Sequence, residues 1–235
     1  MWKRQAAERT LTFRLAGINN QNFIMRDEET GTYWQQVTGA AIAGPLRGAH
    51  LELVPMDELS FGLWRQESPA GSVLAPVANY ARYYEKKDWE SAIAKARTVV
   101  DVSGTGLAAR EIVIGISLAG NDRAYPLEKI LQQSPIQDRV GSVPVLILAG
   151  PDGKSVRAFV SRIPPQSAAT EFFRTSAANG QNDALMDSAQ GSRWNFQGCA
   201  TSGPAQGKCL ESIPYLKDYW FDWHNYHPAT TVYSR

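Results

Sequence analysis

The sequence has little of several features on which large functional classes depend. Of its 235 residues only two are cysteines and three are histidines, and 24 Lys and Arg against 23 Asp and Glu leave a net charge of +1. Without a positive excess the chain cannot hold a polyanion electrostatically, so we expect no nucleic-acid partner. Its longest apolar stretches, residues 112–119 and 143–149, are far shorter than the roughly 20 residues of a spanning helix, which predicts no membrane-spanning segment in this chain.

Common catalytic and targeting motifs are absent as well. The sequence has no Gly-x-Ser-x-Gly elbow, no phosphate-binding P-loop and no Gly-x-Gly-x-x-Gly after a strand. Residues 1–9 lack the apolar segment and cleavage site of a secretory signal, which taken alone predicts a cytoplasmic protein. What is present is 43% apolar residues, enough for a substantial core.

An internal repeat organises the chain. The sequence aligns with itself at an offset of 160, which becomes 159 beyond Trp194. At offset 160 the matches are Thr10, Phe13, Arg14, Asn19, Gln21, Asn22, Asp27, Gly31 and Trp34 with Thr170, Phe173, Arg174, Asn179, Gln181, Asn182, Asp187, Gly191 and Trp194. At offset 159 they include Gly39, Gly44, Pro45, Gly48, Trp64 and Pro69 with Gly198, Gly203, Pro204, Gly207, Trp223 and Pro228.

Each copy reads as short strands separated by turns, and then a helix. In the first copy we predict strands at 11–15, 23–26, 33–37 and 50–54 and a helix at 57–66, whose counterpart is 217–226. The central section predicts a helix within 88–95, strands at 111–118, 123–125 and 143–148, and a helix at 127–132. The fold class is therefore mainly β (β-rich α+β), with duplicated, pseudo-twofold β-meander units that a short helix closes.

This reading divides the chain into three parts that form one compact domain. The first repeat covers 1–78, a linker and central β/α section covers 79–140, and the second repeat covers 141–235. Because residues 141–162 supply a strand and turn before the second copy, and their first-copy equivalent would precede Met1, we expect the first copy to be truncated.

Groups that both copies keep are expected to serve the fold. Trp34 and Trp194 predict core anchors, since aromatic burial gives a small β-unit much of its stability. Arg14 with Asp27, and their matches in the second copy, predict a strand-crossing ion pair in each half. An asymmetric active site should instead use groups that only one copy has.

The histidines are groups that only one copy has. His224 and His227 are spaced i and i+3, so one helical face could present both imidazoles to a single transition metal. A metal needs three or four ligands, and only His50, a carboxylate such as Asp222 or a cysteine could complete the set. Pro228 also favours extended backbone at His227, which weakens the metal hypothesis.

A second candidate surface is polar and aromatic. Aromatic rings beside amide groups suit a sugar or a peptide, but they also suit an ordinary sheet edge. The candidate binding residues are Asn22, Trp34, Gln35, Gln36, Trp220 and Tyr226. The leading hypothesis is a binding or interaction module for an unknown ligand or protein, and the alternative is a metal-assisted enzyme between the repeats near His224 and His227.

Cys199 and Cys209 flank a segment with Gly-Pro and Gly, which reverse a chain. The two thiols could face each other on neighbouring strands and form a disulfide. They could equally be two reduced, packed residues, as in a cytosolic protein.

Four segments resemble a known family. The segment from Arg26 to Gly48 is similar to the signature of the bacterial and archaeal family called Domain of Unknown Function 3179. Residues 124–127, 143–145 and 219–228 are similar to the middle and end of that family, in the same order. The resemblance implies a duplicated β-rich fold, usually in exported or anchored proteins, and therefore a periplasmic or extracellular location. It favours the disulfide and implies no reaction.

Overall fold

A computed structural model describes residues 1–84, 89–175 and 184–234. These residues form mainly β-structure, which confirms the predicted class. The strands are β1 (Gln5–Ala6), β2 (Arg9–Thr10), β3 (Phe13–Asn19), β4 (Asn22–Asp27), β5 (Tyr33–Gln35), β6 (Ala41–Ala43), β7 (Ile112–Leu118), β8 (Asn121–Pro126), β9 (Ile136–Val140), β10 (Val143–Ala149), β11 (Val156–Val160), β12 (Phe172–Thr175), β13 (Ala184–Asp187), β14 (Arg193–Trp194), β15 (Ala200–Ser202), β16 (Leu216–Tyr219) and β17 (Thr231–Val232). The α-helices are α1 (Phe61–Glu67), α2 (Trp89–Lys95), α3 (Leu127–Gln133) and α4 (Trp220–Tyr226), and a 3-10 helix spans Ala78–Tyr83.

The first meander is a four-stranded sheet in the order β3-β4-β5-β6. Asn20 and Gln21 connect β3 to β4 with φ values of 50° and 66°, the left-handed conformation of a tight hairpin turn. Trp34 is fully buried on one face of the sheet, and the ring of Phe13 meets it edge to face at 5.9 Å. The tryptophan is therefore a core anchor, as predicted.

The second meander has the corresponding order, β12-β13-β14-β15. Trp194 is 4% exposed and meets Phe172 edge to face at 5.5 Å. The repeat matches Asn179, Gln181 and Asn182 lie outside the described residues. The two sheets share their strand order and their central tryptophan; the duplication itself stays a prediction.

Strand pairing corrects the alignment of the repeats at one point. Phe13 lies opposite Asp27, and Phe172 lies opposite Asp187, so Phe13 corresponds to Phe172 rather than to Phe173. The second hairpin is one residue longer between these points. A sequence comparison can match Phe13 to either Phe172 or Phe173, whereas backbone pairing distinguishes these two residues.

The predicted Arg–Asp ion pairs are wrong. Arg14 forms an ion pair with Glu28, and Arg174 donates to the carbonyl oxygen of Ser134 at 3.1 Å. The buried aspartates instead accept from indole groups: Trp34 Nε1 donates to Asp27 at 2.8 Å. In the second sheet the equivalent bond, from Trp194 to Asp187, measures 2.9 Å. An indole brings a donor without a charge that must be desolvated, which suits a buried site.

Two further sheets form the centre of the fold. One has the order β16-β7-β8-β17 and the other the order β11-β10-β9. Helix α3, within one residue of its predicted end, packs against this region, where Ile114, Tyr125, Ile130 and Val145 are fully buried in one apolar cluster. Leu146 and Leu148 of β10 belong to a different cluster, that of the second meander.

Cys199 and Cys209 form a disulfide across an antiparallel bridge, with 4.0 Å between their Cα atoms. This resolves the alternative that the sequence left open. In the first meander the bridge at the equivalent positions joins Ala40 and His50, so the covalent link belongs to one half alone.

The closing helices begin later than predicted. Ser60 caps α1, which starts at Phe61 and not at 57; in the second half, residues 216–219 form a strand before α4 starts at Trp220. Helix α2 starts at Trp89, and the predicted Asp88 lies outside the described residues. None of the helices in the described ranges is long and apolar enough to cross a membrane.

Candidate functional site

Helix α4 and the strand before it carry two carboxyl groups. Asp218 lies in β16, and α4 follows directly. Two backbone hydrogen bonds hold the start of α4: Trp220 N donates to Glu111 O at 2.8 Å, and Phe221 N donates to Ala109 O at 3.0 Å. These bonds satisfy donors that the first turn of a helix leaves free. Asp222, in the first turn, is thereby held close to Asp218.

Asn22 connects this segment to the first meander. Its Nδ2 lies 3.1 Å from Asp222 Oδ2 and 3.1 Å from Gln36 Oε1. Asn22 is 6% exposed and Asp222 is 7% exposed. Within the described part of the chain, Asn22 Oδ1 and Asp222 Oδ1 are buried atoms without a hydrogen-bond partner. A buried polar atom without a partner costs stability, so this cluster is not optimised for stability alone.

Burial raises the pKa of both carboxyl groups. Burial and the neighbouring charge of Asp222 raise the pKa of Asp218 to about 8. Burial also raises the pKa of Asp222, although hydrogen bonds from Asn22 and Asp218 and the positive charge of Arg110 oppose that rise. Near neutral pH Asp218 therefore keeps its proton.

Asp218 opens onto a cleft of about 500 Å³ beside α2. Trp89, 47% exposed, is one wall of this cleft. The guanidinium of Arg110 lies 4.9 Å from the ring centre of Tyr219 and donates to the carbonyl oxygen of Ala96 at 3.2 Å. The lining residues are Glu58, Trp89, Glu90, Ser91, Ala94, Arg110, Ile112, Lys217, Asp218 and Tyr219. We call this space the Asp218 cleft.

The acid pair occurs in one half only. At the offset of 159, Asp218 and Asp222 correspond to Leu59 and Leu63. In one half β16 and α4 carry the acid pair, whereas in the other half α1 carries Glu67, which pairs at 2.7 Å with the buried guanidinium of Arg157. Comparing the two copies at these positions would have singled out Asp218, a residue that the sequence analysis did not select.

Four of the predicted binding residues gather around Asp222. Asn22 and Gln36 are hydrogen-bonded as described, and Tyr226 donates to Asn19 O at 3.3 Å. Burial and the charge of Asp222 raise the pKa of Tyr226, whereas a hydrogen bond with Gln35 opposes the rise. The other two predicted residues, Trp34 and Trp220, are 0% and 1% exposed and leave no face for a ligand.

The histidines contact aromatic rings. His224 lies against Trp220 with 4.8 Å between ring centres, and His227 stacks on Trp223 at 3.7 Å. His227 Nδ1 lies 3.1 Å from Trp223 O, and burial lowers the pKa of His227. Over residues 1–84, 89–175 and 184–234, no group of three or more His, Cys, Asp or Glu side chains is arranged to hold a metal. The metal site stays an untested prediction.

A larger cavity, of about 790 Å³, lies between α3, β10 and the second meander. Arg174 is its charged lining residue, and Trp194 and Phe196 are its aromatic ones. None of its described lining residues is an aspartate or a glutamate.

Comparison with known families identifies the chain. A family model described as a protein of unknown function, DUF3179, matches residues 1–230. The chain belongs to the DUF3179 family. Comparisons with curated proteins and with solved structures gave no match. The description of the DUF3179 family states no activity.

Proposed function

We propose that this DUF3179 chain is a binding module and that the Asp218 cleft takes a short saccharide. The observation that carries the proposal is the position of Asp218: a carboxyl that keeps its proton near neutral pH lines a cleft whose wall is an exposed tryptophan. The absence of such a carboxyl at Leu59 supports a role specific to this half.

The lining residues match what a sugar presents. An aromatic ring such as Trp89 packs against the apolar face of a pyranose, while hydroxyl groups need both donors and acceptors at the rim. Protonated Asp218 donates, and Glu90 accepts. Glu58 and Lys217 form an ion pair at 2.7 Å, so the charges at this edge largely compensate each other. A neutral ligand fits this balance better than a highly charged one.

Titration of neutral mono- and oligosaccharides, followed by calorimetry and tryptophan fluorescence, tests the proposal. We expect binding that Trp89→Ala weakens at least tenfold and that Asp218→Leu, which introduces the residue of the other half, also weakens. Tyr80→Ala is the matched control, since Tyr80 is 57% exposed and is not among the cleft residues. Absence of binding to all the sugars, or binding that is unaffected by Trp89→Ala, would refute it.

The same carboxyl favours a second function, acid–base catalysis on the bound ligand. A general acid works best when its pKa lies close to the working pH, which holds for Asp218. Product formation from a bound saccharide, abolished in Asp218→Asn while binding persists, would support it. The metal-assisted alternative at His224 and His227 is tested separately, by metal analysis of the purified protein and of His224→Ala.

We further propose that the chain works in an oxidising compartment, periplasmic or extracellular. The Cys199–Cys209 disulfide supports this location, because such bonds are rare in the cytosol.

A further inference from the structure

Arg174 lies on the face of the second meander that packs against the core. It is two residues from Phe172 in β12, so both side chains lie on the same face of the sheet. Phe172 is 2% exposed, whereas Arg174 is exposed and lines the cavity of about 790 Å³ beside α3 and β10. The sheet thus places a charged group at the edge of its apolar core.

This charge is specific to the second half of the fold. Strand pairing sets Arg174 opposite Leu185, and the same pairing in the first meander sets Leu15 opposite Met25. Because Phe13 corresponds to Phe172, Leu15 corresponds to Arg174. A meander therefore forms with leucine at this position, and strand pairing alone does not require the arginine.

The guanidinium of Arg174 has one occupied edge and one edge without a partner. Nε donates to Ser134 O at 3.1 Å, and Nη2 donates to Ser134 Oγ at 3.4 Å. These bonds use the edge that Nε and Nη2 share. Over residues 1–84, 89–175 and 184–234, no acceptor contacts the other edge, that of Nη1 and Nη2. Two parallel N–H groups on one edge match the two oxygens of a carboxylate.

Ser134 adds a further donor beside this edge. Its Oγ accepts from Arg174 Nη2 and, at 2.9 Å, from Ala149 N. A hydroxyl has two acceptor positions and one proton, so both acceptor positions are used and the proton is left to donate. In the described part of the chain this proton has no acceptor. Arg174 and Ser134 together therefore offer donors to the cavity and need an acceptor from a ligand.

The charge of Arg174 is not balanced within the cavity. No aspartate or glutamate is among the described lining residues. Asp152, in the loop that borders the cavity, is engaged by its own turn: it accepts from Lys154 N at 3.1 Å, from Ser155 N at 2.9 Å and from Ser155 Oγ at 2.5 Å. One negative charge on a ligand would balance the guanidinium.

Much of the remaining wall is apolar. Leu148, Leu185 and Trp194 belong to the core cluster of the second meander, and Phe196 packs against that cluster. Leu131 of α3 is 37% exposed and lines the same cavity. Sites for small organic molecules combine such apolar walls with a few polar groups that orient the ligand. The ligand should therefore carry an apolar body besides its charged group.

We infer that this cavity binds an organic monocarboxylate with an apolar chain or ring. The carboxylate accepts two parallel hydrogen bonds from the Nη1 and Nη2 edge of Arg174 and a third from Ser134 Oγ. The apolar body lies against Leu131, Leu148 and Phe196. The cavity shares no lining residue with the Asp218 cleft, so the inference does not rest on the proposed binding of a saccharide.

Calorimetric titration with octanoate tests the class of ligand. Three compounds separate its features: octan-1-ol has the chain without the charge, acetate has the carboxylate without the chain, and inorganic phosphate is an anion without an apolar body. We expect octanoate to bind one-to-one and each of the other three to bind at least tenfold more weakly. Absence of octanoate binding, or equal binding of octan-1-ol or phosphate, would overturn the inference.

Variants of Arg174 test the charged group. Arg174→Leu, which introduces the residue of the first half, should weaken octanoate binding at least tenfold. Arg174→Lys, which keeps the charge but loses the paired N–H groups, should weaken it less. Arg193→Leu is the matched control, because Arg193 is an exposed arginine of the same meander and does not line the cavity. Thermal unfolding checks that each variant is folded.

A change in α3 tests the charge balance without altering Arg174. Leu131→Glu places a negative charge in the lining and should weaken octanoate binding at least tenfold relative to Leu131→Gln, a neutral variant of similar size. The exposure of Leu131 should let both variants fold. Unchanged affinity in Arg174→Leu, or equal affinities of the two Leu131 variants, would show that no carboxylate binds at this guanidinium.

Discussion

Asn22 and Asp222 are joined by a buried hydrogen bond of 3.1 Å although 200 residues separate them. The first belongs to the hairpin of the first meander and the second to the last helix of the fold. The bond therefore links the first meander to α4. It also sets the environment of Asp218, since the position of Asp222 determines how strongly its charge acts on that carboxyl.

The stability of the protein should fall between pH 4 and pH 8 because of Asp218. The folded chain keeps this proton up to a pKa of about 8, whereas an unfolded aspartate loses it at about pH 4. In that interval the folded state binds more protons, so the free energy of unfolding decreases as pH rises. Asp218→Asn should reduce that slope by up to about 1.4 kcal/mol per pH unit.

Urea unfolding at pH 5, 6, 7 and 8 measures this slope. Glu90→Gln, a change to an exposed carboxyl of the same cleft, is the control and should leave the slope unchanged. Equal slopes for the wild type and Asp218→Asn would show that Asp218 is already ionised at neutral pH.

The buried aspartates of the two meanders should have the opposite effect at lower pH, where they make the free energy of unfolding increase as pH rises. Burial alone would raise the pKa of Asp187, but hydrogen bonds from Trp194 and from backbone N–H groups outweigh it and hold that pKa below its ordinary value. The stabilisation is complete above the unfolded pKa of about 3.9 and is lost as pH falls through the folded value.

Asp187→Asn should therefore destabilise the protein by about 2 kcal/mol at pH 7, which is typical of a hydrogen bond to a charged group. The difference should vanish at the most acidic pH at which the fold persists. Glu8→Gln, at an exposed position, serves as the reference. If the loss of unfolding free energy in Asp187→Asn stays constant down to pH 2, the charge of Asp187 does not contribute to stability.

Replacing both cysteines by alanine should cost about 2–3 kcal/mol, since the disulfide closes a loop of ten residues. The first half supports the feasibility of this variant, because Ala40 and His50 form the same bridge without a covalent bond. Chemical unfolding of the variant, and of the wild type with reductant, should give the same midpoint. Thiol titration of the native protein should find no free thiol; two reactive thiols would disprove the bond.

Gly115→Ala should destabilise the packing of α4. A Cβ atom at Gly115 would lie 2.2 Å from the indole of Trp223, so helix and strand must separate, at a cost of about 1–3 kcal/mol. Gly17→Ala is the matched control in another strand, since nothing lies within 4 Å of its Cβ position. Thermal unfolding distinguishes the two; equal midpoints would show that Trp223 can move at no cost.

Much of the fold could be predicted from the pattern of strands and turns. The predicted strand at 143–148 agrees with β10 to within one residue, because a continuous apolar run bounded by glycines leaves few alternatives. The predicted strand at 50–54 was less successful: His50 and Leu53 form isolated bridges only. Residues of this short apolar segment make single contacts with segments that are distant in sequence, and local periodicity cannot reveal such contacts.

The candidate site could be predicted only in part. Asn22, Gln35, Gln36 and Tyr226 were selected as polar groups and do gather around Asp222. Trp34 and Trp220 were selected with them and are buried, because composition does not distinguish a ring that binds a ligand from one that fills a core. Asp218 was missed, since its unusual pKa arises from burial and from a neighbour that only folding supplies.

The sequence by itself determined the β-rich class, the family, and the positions of the tryptophan anchors. These follow from local patterns of apolar residues, glycines and prolines, which are readable one segment at a time. Only the tertiary structure decided that β10 packs against the second meander, and that burial raises the pKa of Asp218 and Asp222 beside a cleft. Both depend on contacts between distant segments, and the free energy of such contacts is set by burial and distance rather than by residue type.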